Sequence, residues 1–174
     1  MQEAISWCAQ LQGNIDKTYT QVNASLCDYQ TLTTRIEARF QAMAFGFLFN
    51  ARRKVFHIGY NITNDKLDDN FYDLLASEAR LASFLAIAKR EVTPSHWVHL
   101  GRPITRVNDT FTLLSWSGTM FEYLMPTLFM KSYEQTFLTQ SCYAAVKNQM
   151  AYGHSQKVPW GVSESSYYAF DSTL

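Results

Sequence analysis

A mainly helical chain is predicted by three observations. First, from Met1 to about Ala44, apolar residues recur every seven positions at Cys8, Ile15, Val22, Tyr29, Ile36 and Met43, with Tyr19, Leu26 and Phe40 on the adjoining turn. Second, Leu67 to Glu91 sets Phe71, Leu74, Leu75, Leu81, Ala82 and Leu85 at the three- and four-residue spacing of one helix face. Third, Ser132 to Tyr152 carries Phe137, Leu138, Cys142, Ala145, Val146 and Met150, with Gly153 as a stop signal.

Taken in order, residues 1–44 read as a helical packing segment or linker, with a dimerising coiled coil as the alternative. Gln12 and Thr33 interrupt the seam, and Gly13 or Asn23 offers a break into two helices. Phe45 to Tyr60 changes the period, with apolar residues flanking a polar turn at Asn50 to Lys54, and predicts a hairpin. His57 alternates with Phe56 and Ile58 there, and a structural histidine is the simpler reading than a catalytic one. Asn61 to Asp65 is turn chemistry, and it leads into the predicted helix of residues 67–91. Asp68 and Asp69 suit that helix's first turn, and Lys89 and Arg90 its last. Glu78 falls in the middle of its apolar face, where an unpaired carboxylate is costly.

His96 and His99 have no acidic companion nearby, so no metal is expected. Ile104 to Trp116 reads as a strand or extended segment, and Ser117-Gly118-Thr119 as the cap of a short helix over MFEYLMPTLFM. Glu122 is the only charge between Asp109 and Lys131. Near the carboxyl end, Glu164 is the only acid or base apart from tyrosine between Lys157 and Asp171.

Length and composition narrow the function. The 174 residues suit a single domain, and an apolar share of 47% allows a real core. Aromatic residues make up 15%, which is rich, and they stack on sugars as well as filling cores. With 15 basic and 15 acidic residues the formal net charge is zero, so nucleic acid is not an expected partner. Cys8, Cys27 and Cys142 are widely separated and suggest neither a zinc site nor a disulfide framework. The amino terminus lacks the pattern of a signal peptide, and the apolar stretch Phe121 to Met130 is too short to span a bilayer. P-loop, GxGxxG, GxSxG and HExxH motifs are missing, and no cofactor is expected.

Paired carboxylates in an aromatic cleft are the machinery of glycosidic bond cleavage: one protonates the leaving oxygen and the other attacks or activates the attacking group. Glu78, Glu122 and Glu164 are the candidates, with Tyr60, Tyr72, Trp97, Trp116, Trp160 and Tyr168 as stacking surfaces. The competing reading makes each glutamate a core acid satisfied by Arg80, Arg102, Arg106 or backbone amides.

Three segments carry a resemblance. FHIGYNITNDKLDDNFYDLLASEARLASFLAIAKREVTPSHWVHLGR, LLSWSGTMFEYLMPTLFM and PWGVSESSY resemble, in this order, the glycoamylase-like central region of cyclic β-1,2-glucan synthases. The resemblance covers roughly residues 45–174, a partial glycoamylase-like domain, and the helical segment before it resembles the connection to the glycosyltransferase and membrane part of such enzymes. It implies an all-α fold, part of an (α/α)6 toroid with short hairpin and extended segments, whose cavity binds β-1,2-glucan. It also implies a transglycosylase that closes linear glucan into a ring, working with the rest of a synthase polypeptide on the cytoplasmic side of a bacterial inner membrane.

Carried over by motif, Glu78 of LLASEARL and Glu164 of PWGVSES are the acid/base and nucleophile, with Glu164 favoured as the nucleophile. Glu122 of MFEYL becomes a sugar contact, and Asp68, Asp69, Tyr72, Arg80, Trp116 and Trp160 contribute to substrate binding or its support. Family members continue with further helices past SESxY, whereas this chain stops at Leu174. The expectation is therefore a fragment, inactive alone, whose exposed helix faces favour self-association. Endo-β-1,2-glucan hydrolysis and a noncatalytic glucan-binding or structural helical module are the competing functions.

Overall fold

The computed structural model describes Met1–Ser163, about 53% in helices and 13% in strands. The chain divides into two compact units, Met1–Ala44 and a second beginning at Phe45. The first is a single helix, α1 (Gln2–Ala42), with no buried residue. Gly13 does not break it, since one glycine costs a helix only about 1 kcal/mol. Ile15, Val22, Tyr29 and Ile36 of the seven-residue repeat are exposed along it. None of the described helices is long and apolar enough to cross a membrane.

The second unit corrects the all-α expectation: three small antiparallel sheets are built into it, and an (α/α)6 toroid is not what the described residues form. In the first sheet β1 (Phe49–Asn50) pairs with β2 (Val55–His57), which pairs in turn with β5 (Phe71–Tyr72). The register sets Phe49 opposite Phe56, and Phe56 opposite Tyr72. The predicted hairpin is thus present, closed by the Asn50 side chain, which accepts from the Arg53 amide at 2.9 Å. A second hairpin joins β3 (Tyr60–Asn61) to β4 (Lys66–Leu67), and a third joins β6 (Ile104–Val107) to β7 (Thr110–Leu113).

The predicted helix over residues 67–91 forms only in its second half, as α2 (Arg80–Ala88). Its first half is extended because β5 finds a strand partner in β2, while Leu75 donates to the Gly101 carbonyl and Gly101 to that of Asp73, at 2.9 and 2.6 Å. Asp68 accepts from the Asn70 amide at 2.8 Å, closing a turn instead of capping a helix. Long-range pairing here overrides a local periodicity that fits either state. The remaining helices are α3 (Ser95–His99), α4 (Met120–Leu124) and α5 (Phe137–Gln156). Gly153 does not stop α5. It lies inside the helix where a Cβ would meet Trp160 and the Val158 carbonyl at 3.0 Å, and the helix ends at Lys157 in the left-handed conformation.

The core gathers Val55, Leu75, Ala76, Leu100, Leu113, Met120, Tyr123, Cys142 and Ala145. Against it α5 locks onto β7, with the Leu113 amide donating to Ser141 Oγ at 3.0 Å, while the Tyr123 hydroxyl donates to the Leu113 carbonyl at 2.5 Å. A smaller cluster of Phe56, Ala86 and Val92 adjoins His96, whose ring meets Phe49 and Phe56 edge to face. His96 is fully buried; Nδ1 donates to the Lys54 carbonyl and Nε2 accepts from the Ser83 hydroxyl, both at 2.8 Å. Burial lowers its pKa below the ordinary 6.5, against the raising effect of the Lys54 carbonyl.

The folded state therefore binds this proton less readily than the unfolded chain. The neutral ring's contribution is complete above about pH 6.5 and is lost as pH falls through the depressed folded value. Urea midpoints should drop between pH 7.5 and pH 5, and Ser83→Ala should cost about 1–3 kcal/mol at neutral pH by orphaning Nε2. A midpoint independent of pH in the wild type and identical in the variant would contradict this role.

Candidate functional site

Two walls meet at a small cavity. One wall is the bend before α2, where Ser77 is buried and Glu78 half-buried. The Glu78 carboxylate accepts from the Ser77 hydroxyl at 3.2 Å, and Ser77 Oγ accepts from the Ala79 amide at 3.2 Å. Glu78 is not on the helix but just ahead of it, and among the described residues it forms no ion pair. The other wall is the loop from Ser115 to Thr119, between β7 and α4, with the Trp116 side chain exposed. The cavity between them measures 150 Å³ and is lined by Ile58, Tyr72, Glu78, Trp116, Ser117 and Glu122. At ~30 Å³ per molecule that is the space of about five waters.

Glu122 organises the second wall. Its Oε1 accepts from the amides of Trp116 and Ser117 at 2.8 and 3.2 Å. Its Oε2 accepts from the amides of Ser117 and Thr119 at 3.1 and 2.9 Å, and from the hydroxyls of Ser115, Ser117 and Thr119 at 3.2, 3.0 and 3.1 Å. The Thr119 hydroxyl in turn accepts from the Glu122 amide at 3.3 Å, completing a capping box at the start of α4. Burial opposes the charge, but the Thr119 and Ser117 donors outweigh it and hold the pKa below the ordinary 4.5. A lowered pKa does not favour a proton-donating role for Glu122.

Arg80 ties the two walls together. It is 2% exposed, and its Nη1 donates to the carbonyls of Ser77 at 2.9 Å and Glu122 at 2.7 Å, while Nη2 donates to Tyr123 at 2.5 Å. Burial lowers its pKa, partly countered by Cys142 and Glu78.

Of the residues singled out from the sequence, the structure brings Glu78, Glu122, Tyr72 and Trp116 to one cavity. Asp68 and Asp69 are exposed and do not line it; Asp69 pairs with Lys66 at 2.7 Å, and that ammonium lowers its pKa. Arg80 is engaged with backbone carbonyls, and Trp160 packs at Gly153, also away from this lining. Glu164 lies outside the described residues. Ile58 and Ser117 were not singled out as site residues; the Thr119-x-x-Glu122 spacing is the signal that points to the Ser117 loop.

A larger cavity of 550 Å³ is lined by Leu75, Phe84, Trp97, Arg80, Arg102 and Lys131 among others, with no carboxylate among the described residues of its wall. Among the described residues no group of three or more His, Cys, Asp or Glu can hold a metal ion.

No family model matches the chain. Over 133 residues, 76% of its length, it is 45% identical to the cyclic beta-(1,2)-glucan synthase NdvB of Rhizobium meliloti (strain 1021). The chain spans about 5% of that much longer protein.

Proposed function

We propose that this chain is part of a glycoamylase-like, glycan-processing region of a cyclic β-1,2-glucan synthase, in which Glu78 and Glu164 carry the transglycosylation that closes linear β-1,2-glucan into a ring. The observation that carries the reading is the cavity at Glu78, a half-buried carboxylate without an ion-pair partner among the described residues, facing the same space as Trp116 and Tyr72. Aromatic faces supply a stacking surface for a sugar ring, and a carboxyl beside them can exchange a proton with a glycosidic oxygen. Glu78 is the acid/base: it protonates the departing glycosidic oxygen, and its carboxylate then takes the proton of the chain's own terminal hydroxyl as that oxygen forms the new bond. Glu164, as nucleophile, holds the cleaved end between the two steps.

Trp116 tests the binding half of the proposal. In the full-length synthase, Trp116→Ala should raise the KM for linear β-1,2-glucan by about tenfold, equivalent to ~1.4 kcal/mol of lost stacking, with a smaller change in kcat. An unchanged KM would count against a sugar at this wall.

A further inference from the structure

We infer that Glu122 is a positioning residue: its carboxylate gathers the loop from Ser115 to Thr119 and so fixes Trp116 at a set distance from Glu78 across the cavity. The inference rests on the glucan reading for its functional consequence, while its structural half stands on hydrogen bonds alone. Three backbone amides and three hydroxyls converge on the two carboxylate oxygens, all from one five-residue loop. Apart from Trp116, whose side chain is exposed, the loop is serine, glycine and threonine with little bulk to order it, and Gly118 sits at a positive φ of 75°. The buried anion provides the order that packing does not. Its effect reaches the neighbouring wall through the main chain, because the Glu122 carbonyl and the Ser77 carbonyl both accept from Nη1 of Arg80. One residue thus holds Trp116 by its side chain and, through one guanidinium nitrogen, the residue next to Glu78 by its backbone.

This arrangement separates a glutamate from a glutamine. Oε1 faces amides from Trp116 and Ser117, and Oε2 faces amides from Ser117 and Thr119. Hydroxyls can turn to present a lone pair, but amides cannot. Whichever way a glutamine lies, its own NH2 meets backbone donors, although the helix cap itself tolerates glutamine.

The test is Glu122→Gln in the full-length synthase. Amide hydrogen exchange at Trp116 and Ser117 should quicken by about 10- to 100-fold, the equivalent of one or two lost bonds to a charged acceptor, without a comparable change in the core strand β7. Ring closure from linear β-1,2-glucan should fall, and Glu122→Gln combined with Trp116→Ala should be no worse than Trp116→Ala alone, because the effect runs through that side chain. Additive losses would make Glu122 a general stabiliser and overturn the inference, as would wild-type exchange at the loop. Should the glutamine variant fail to fold, Ser117→Ala removes one hydroxyl donor and should quicken the same amides by a smaller factor; unchanged exchange there would equally overturn it. A loosened loop with wild-type ring closure overturns the positioning role if Glu78→Gln blocks closure. The glucan reading itself fails if neither Glu78→Gln nor Trp116→Ala affects closure.

Discussion

Glu78→Gln in the full-length synthase is expected to reduce cyclic β-1,2-glucan by about 10²- to 10⁴-fold, the range a positioned general acid/base contributes. Under the proposed role in ring closure alone, linear chains should continue to form. The substitution keeps the shape of the side chain and its bond to the Ser77 hydroxyl at 3.2 Å, so the folded structure should survive. What it removes is the exchangeable proton. Glu164→Gln should give the same product pattern, because two carboxyl groups share one reaction and neither step proceeds without its partner. Product analysis by mass, distinguishing rings from chains by the water they lack, reads the outcome. Undiminished rings from the Glu78→Gln enzyme would remove the acid/base from this cavity.

Arg80→Met is expected to lower the stability of the domain by about 3–5 kcal/mol, the largest effect on folding anticipated for a single side chain here. The Ser77 carbonyl would keep the amide of Arg80 as a donor at 3.2 Å, so the loss falls on Glu122 and Tyr123. Their carbonyls are held at 2.7 and 2.5 Å by the guanidinium, and Tyr123 would retain the weak Cys142 thiol at 3.3 Å. Each orphaned buried acceptor costs about 1–3 kcal/mol, while the relief of dehydrating a cation offsets part of the sum. Lysine should not rescue the site, because a single ammonium lacks the planar fork that spans three carbonyls. Arg102→Met makes the contrast: Arg102 is exposed and also bonds to carbonyls, but water can replace it, and the change should stay below about 1 kcal/mol. Urea unfolding decides between these values, and an Arg80→Met protein within about 0.5 kcal/mol of wild type would contradict the bracing role.

Much of the second unit could be read along the chain, and the failures have a common cause. The hairpin at Phe49 to His57 and the long helix ending beyond Met150 were both legible because turn residues and apolar spacing agree there. The extended stretch before Ser117 resolved into the β6–β7 hairpin, and Thr119 does cap a short helix. Residues 67–79 carry a helical spacing at Phe71, Leu74 and Leu75, while the partners that hold them out of a helix, His57 and Gly101, are distant in sequence. The same segment explains why an all-α fold does not hold. Glu122 is an isolated charge in the sequence, and the Thr119-x-x-Glu122 spacing marks its cap, whereas the Ser115 and Ser117 hydroxyls reach it only through the fold of the loop. Glu78 is a carboxylate among apolar neighbours in sequence, but it sits in the turn ahead of α2 and not on a helix face.

The proposed function places a β-1,2-glucan unit between Glu78 and Trp116. A crystal structure of the Glu78→Gln full-length enzyme soaked with linear β-1,2-glucan tests it most directly. A glucosyl ring should stack on Trp116, with its glycosidic oxygen within hydrogen-bonding distance of the residue 78 side chain. Glucan bound elsewhere, with the space lined by Tyr72, Trp116 and Glu122 holding only water, would contradict it.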